Sequence, residues 1–166
     1  MRRILYAAGL ALAAQSAAAQ DLVFTIGHTL DCLDRAVTVD DQRTCVGTSA
    51  GVCMSATDMG STTIGMSGCL DRELSYWDDR LNASYRALRT QERAEDAEMS
   101  GLPGAASQAD ALRDMQRAWI AFRDATCDYE RAQWGGGTGG GPATVGCLMR
   151  MTGEQTLYLE GIGRSY

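Results

Sequence analysis

The chain has 166 residues, of which 45% are hydrophobic, with six cysteines and a formal net charge of -6. That length suits one domain with a modest core, and the acidic balance argues against nucleic acid or an anionic lipid surface as a partner. A cationic partner would instead be steered towards it, although solubility alone also accounts for acidic exported proteins.

Arg2 and Arg3 precede an apolar run at 4–14, which is followed by Ala17-x-Ala19. A basic start, an apolar stretch too short to span a bilayer and a small-residue cleavage site describe a signal peptide over 1–19, cut before Gln20. Losing the two arginines takes the formal charge to about -8 and places the mature chain in the periplasm or outside the cell, with no membrane insertion after cleavage. In that oxidising setting Cys32, Cys45, Cys53, Cys69, Cys127 and Cys147 read as three structural disulfides. There is no C-x-x-C pair, and one histidine, His28, cannot complete a His-rich site. Neither metal nor cofactor is therefore expected.

The segment 20–63 is rich in Gly, Thr and Cys, with room for short helices only. One is expected over 28–36, holding Leu30, Cys32 and Leu33. A second is expected over 42–56, with Asp40 or Asp41 capping it by accepting from an unpaired backbone N–H. On that second helix Cys45 and Cys53 lie only ~80° apart around the axis. Cys32 with Cys45, and Cys53 with Cys69, are the favoured pairs among the many connectivities six cysteines allow.

A long helix is expected from about 67 to 98, with Leu70, Leu74, Trp77, Leu81, Tyr85 and Leu88 on its apolar side. Gly101-Leu102-Pro103-Gly104 ends it, because Pro lacks a donor and Gly tolerates a reversal. Ser107 can cap the next helix, whose seam of Leu112, Met115, Trp119, Phe122, Thr126 and Tyr129 recurs at steps of three and four. Arg113, Asp114, Arg117, Arg123, Asp124 and Asp128 fall on its wet side. The short loop makes these two helices antiparallel neighbours. The glycine run 135–141 follows no strand and has no GK[ST] ending, so it reads as a connector unable to hold a regular element. A Cys127–Cys147 bridge across it closes a ring that the chain-entropy estimate values at roughly 3 kcal/mol. Leu148, Thr152, Gln155, Leu159 and Ile162 then mark a third core helix. The expected architecture is all-α: a small disulfide-linked bundle of two long antiparallel helices, a C-terminal helix and short N-terminal ones. Its parts are the leader at 1–19, a Cys-containing segment at 20–63 and a helical domain at 64–166.

Three patches carry a family signature. They are Trp77-Asp78 with Leu81-Asn82 and Tyr85; Gln116-Arg117-Ala118-Trp119-Ile120 with Phe122-Arg123-Asp124 and Cys127; and Cys147 with Thr152. Over about 53–159 the chain resembles the lysozyme inhibitor LprI-like family of small exported bacterial proteins. The resemblance implies an all-helical disulfide-linked domain, associated in some members with inhibition of lysozyme. This chain departs from the pattern in lacking a lipobox, in its extra Cys-bearing N-terminal segment, and in having Glu154-Gln155 where a basic residue is often found.

Most signature residues have a structural reading. Asp78, Asn82, Arg117, Arg123 and Asp124 border apolar seams, where polar side chains usually pair with one another. Trp77 and Trp119 sit within the seams and are expected in the core. An enzyme would need a positioned nucleophile or acid–base pair. His28 has no Gly-x-Ser-x-Gly partner, and carboxylates such as Asp71, Glu73, Asp78 and Asp79 lie on a helix with no sign of a cleft. The expected function is therefore non-enzymatic: an exported, lysozyme-inhibitor-like module engaging a cationic protein such as lysozyme through an acidic face. Asp71, Asp78, Asp79, Glu92, Glu95, Asp96 and Glu98 are the candidate contacts. The alternative is a structural or assembly factor of the cell envelope without lysozyme activity. Oligomeric state is left open.

Overall fold

The computed structural model describes residues 21–163, so the expected leader lies outside the described residues. Six helices and no strand occur among them: α1 (Gly27–Arg35), α2 (Val39–Thr44), α3 (Thr48–Ala56), α4 (Thr63–Glu98), α5 (Gln108–Ala132) and α6 (Gly140–Gly163). The three disulfides are Cys32–Cys45, Cys53–Cys69 and Cys127–Cys147, the pairs favoured from spacing.

At 36 residues, α4 is the longest element, a rod of roughly 54 Å. Thr62 caps its start, the Thr62 side chain accepting from the Gly65 N–H at 3.1 Å. Ser107 caps α5 in the same way, accepting from the Asp110 N–H at 3.1 Å, as expected. α6 packs most extensively on α4 and next on α5, while α4 and α5 touch each other less. Trp77 with Ala50, Met149 and Leu157 makes one core cluster, and Leu81, Leu88, Leu112 and Leu159 make another. Gly153 allows α6 to approach α4 this closely: a Cβ there would sit 2.7 Å from Val46 Cγ1 and 3.2 Å from Trp77 Cδ2.

The N-terminal segment is packed on the bundle through one buried carboxylate. Glu73, fully enclosed on α4, accepts from Thr29 Oγ1 at 2.9 Å, the Gly47 N–H at 2.8 Å, the Ala50 N–H at 2.7 Å and Trp77 Nε1–H at 3.1 Å. A buried carboxylate is tolerable only with such a set of donors. Here the donors come from α1, from the turn before α3, from α3 and from α4 itself. The Cys53–Cys69 bridge ties α3 to α4 one turn away.

Four local expectations are corrected. The helix expected over 42–56 is two helices, broken where Gly47 takes φ 96°, a left-handed conformation that other residues avoid. Its cap is Thr38 rather than Asp40 or Asp41; Thr38 and Asp41 form a reciprocal capping box. The glycine run does enter a regular element, since α6 begins at Gly140 and places Pro142 in its first turn, where a missing N–H costs nothing. The last correction concerns α5, whose buried side runs through Leu112, Gln116 and Cys127, leaving Phe122 64% and Tyr129 66% exposed. Cys127 must meet Cys147 on α6, and this turns the neighbouring Arg123, not Phe122, towards α6.

Candidate functional site

The signature residues are spread over α4, α5 and α6, several of them where these helices meet. Arg123 is the joint. Its guanidinium lies 5.1 Å from the centre of the Trp119 ring, donates to Asp124 Oδ1 at 2.8 and 2.9 Å, and reaches Thr152 Oγ1 on α6 at 3.5 Å. The side chain is only 18% exposed, its aliphatic stem covering apolar surface while the charged head stays paired. Thr152 is fully buried, and its carbonyl accepts from Thr156 Oγ1 at 2.8 Å.

Beside Arg123 opens a groove of about 360 Å³ lined by Asp71, Leu74, Ser75, Asp78 and Asp79 from α4 and by Leu148 from α6. Three of the candidate acidic contacts thus share one concavity, at helical spacing along the exposed flank of α4. Asp78 accepts from Asn82 Nδ2 at 3.0 Å, which holds its carboxylate along the helix. With Arg123 already paired to Asp124, the groove presents a surplus of negative charge alongside the apolar side chains of Leu74 and Leu148. That arrangement suits a cationic, partly aliphatic side chain such as Lys or Arg.

The other acidic candidates lie elsewhere, some 28 Å further along α4 in the case of Glu98. Asp96 works as a brace for α5, accepting from Ser107 Oγ at 2.7 Å, the Gln108 N–H at 2.7 Å and the Ala109 N–H at 3.1 Å. These bonds, Ser107 first, hold its carboxyl below the usual range. Glu95 accepts from Gln91 and Gln108. Glu92, expected on the acidic face, is instead 5% exposed. Burial first, then the charges of Glu95 and Asp96, push its carboxyl up, and its Oε2 has no hydrogen-bond partner. It cannot make a surface contact in this position.

The remaining signature residues fall on the next turns. Asn82, Tyr85, Gln116 and Arg117 line a second groove between α4 and α5, and Trp77 and Leu81 are in the core. Glu73, one of the carboxylates weighed as an acid–base candidate, proved to be the fold's polar brace. The signal for it was its place in the seam, one turn after Cys69 and one turn before Trp77. Among the described residues no cluster of His, Cys, Asp or Glu could hold a metal ion, and no helix is long and apolar enough to cross a membrane.

An uncharacterized 17.7 kDa protein in the puhA 5' region of Rhodobacter capsulatus is 29% identical over 141 residues, covering 82% of this chain and 85% of that one. An uncharacterized protein of Rhizobium meliloti (strain 1021) is 32% identical over 98 residues, covering 58% of this chain and 70% of its own length. No solved structure matches. Residues 53–159, which contain Asp78, Arg123, Thr152 and both grooves, match the family described as lysozyme inhibitor LprI, and the chain belongs to that family.

Proposed function

We propose that this protein is an exported, non-catalytic binding module that inhibits a cationic, envelope-active protein of the lysozyme type, in the periplasm or outside the cell. The observation that carries this reading is the groove of Asp71, Asp78 and Asp79 beside the Arg123–Trp119 joint, in a chain of the LprI family. Net negative charge adds to it by steering a basic partner from a distance. Three disulfides fit an oxidising compartment. The contact needs no chemistry from the module, only a lysine or arginine of the partner seated among carboxylates with its stem on Leu74 and Leu148.

A lysozyme turnover assay with the purified protein at low and moderate salt tests it. Inhibition that weakens as salt rises is expected, since exposed charge pairs are screened over about 8–10 Å at physiological strength. Absence of inhibition at micromolar excess, with no heat of binding, would favour a structural or assembly role in the envelope.

A further inference from the structure

The second groove, of about 420 Å³, lies between α4 and α5 on the turns that follow the acidic one, and nothing in the reading above uses it. Its walls carry Arg89, Arg113 and Arg117, which is unexpected in so acidic a chain. Two of these charges are answered locally. Arg113 pairs with Asp110 at 2.6 Å and Asp114 at 2.8 Å, and Arg117 stands 3.9 Å from Asp114. Arg89 is different: its Nε is enclosed and has no hydrogen-bond partner among the described residues. No carboxylate pairs with Arg89 among the described residues, so its guanidinium, on a side chain that lines the groove, is the charge left for a ligand carrying an acceptor.

The neutral groups around it are donors too. Gln116 is 7% exposed, and its Oε1 accepts from Gln155 Nε2 at 3.0 Å, so the group it has left to offer is its NH2 donor. Tyr85 adds a phenolic O–H, and Ile120, partly exposed, supplies an apolar edge. We infer that this groove binds a carboxylate attached to a small apolar group, such as the free C-terminal end of a peptide, with Arg89 as the charged anchor and the Gln116 amide and Tyr85 hydroxyl as neutral donors. One uncompensated guanidinium and two neutral donors match the single charge and planar fork of a carboxylate. The net negative charge of the chain disfavours a phosphate of higher charge. Tyr85 and Gln116, which line this groove, belong to the signature patches, and this gives them a role beyond packing.

Side-chain nuclear magnetic resonance of the full protein, titrated with N-acetyl-leucine, N-acetyl-leucinamide, acetate and inorganic phosphate, tests this. The expected result is a saturable shift of the Arg89 Nε–H and Gln116 Nε2–H signals with N-acetyl-leucine. At least tenfold weaker response is expected to the amide, acetate and phosphate, and at least tenfold weaker response to N-acetyl-leucine in Arg89→Gln. Should Arg89→Gln lose its helical spectrum, Tyr85→Phe, which removes one of the proposed donors and keeps the ring, serves instead and is expected to weaken the response severalfold. Equal response to acid and amide, a stronger response to phosphate, or full retention in the folded variant would overturn the assignment. Inhibition of lysozyme is read separately, so failure here leaves the acidic groove untouched.

Discussion

Two glutamates on the buried side of α4, Glu73 and Glu92, show how differently the same residue behaves at the two ends of one helix. Glu73 is surrounded by four donors, three of them from other parts of the chain, and it fixes the N-terminal segment against the bundle. Glu92 is almost as enclosed but faces Glu95 and Asp96, and one of its oxygens has no partner. Burial is therefore not what distinguishes a brace from a weak point; the donors around the carboxylate are. The acidic groove opens at the braced end, where Asp71, Asp78 and Asp79 flank Glu73 and Trp77 on the same turns of α4. A disulfide and a satisfied carboxylate hold the backbone that presents those side chains.

The sharpest way to break this contrast is Glu73→Ala. It strands the Gly47 and Ala50 N–H groups, the Thr29 hydroxyl and the Trp77 indole in the interior, and is expected to cost about 3 kcal/mol or more. Chemical denaturation measures it, and a loss under about 1 kcal/mol would mean that water or rearrangement supplies the missing acceptor. Arg123→Ala, at the joint between α5 and α6, should lower stability by about 1 kcal/mol through the lost Trp119 stacking and Thr152 contact. An unchanged melt with weakened binding would move Arg123 from support to direct contact.

The smallest effect is expected at the other glutamate, and with opposite sign. Glu92→Gln removes a charge that the fold does not satisfy and should raise stability by about 0.5–1 kcal/mol at neutral pH. Because burial raises the Glu92 carboxyl above its ordinary value near 4.5, the folded chain holds that proton more tightly than the unfolded one. The resulting stabilisation is full below that ordinary value and is lost as pH rises through the folded one. The advantage of Glu92→Gln should accordingly shrink on acidification. Asp96 runs the other way: its lowered carboxyl lends stability above its ordinary value near 3.8, lost as pH falls further. Thermal melts of wild type and variant across the acid-to-neutral range separate the two, and a gap that widens towards acid would contradict the assignment for Glu92.

The three long helices and the disulfide pairing are legible in the sequence because they depend on spacing within one helix or across one loop, and the family is legible through its resemblance at the three signature patches. The apolar seam alone places α5 about 100° out of turn in its second half. Phe122 and Tyr129 look like core by polarity, but the bond from Cys127 to Cys147 aims the helix one residue further round, and the stem of Arg123 does the covering. The roles of Glu73 and Gln116 were hidden for a related reason. A polar residue in an apolar seam reads as an exception until the donors or acceptors from distant segments are in place. Of the acidic candidates, Asp71, Asp78 and Asp79 were brought together by α4 alone, while the fates of Glu92 and Asp96 depended on what surrounds the α5 end of α4.

The most direct test of the central claim compares wild type with the triple variant Asp71→Asn, Asp78→Asn, Asp79→Asn in the lysozyme turnover assay, each with its melting curve. The account predicts inhibition by wild type that falls at least tenfold in the variant, while the melt stays nearly the same because the three side chains are exposed. Equal inhibition by both proteins would place the contact elsewhere on the molecule and contradict the account.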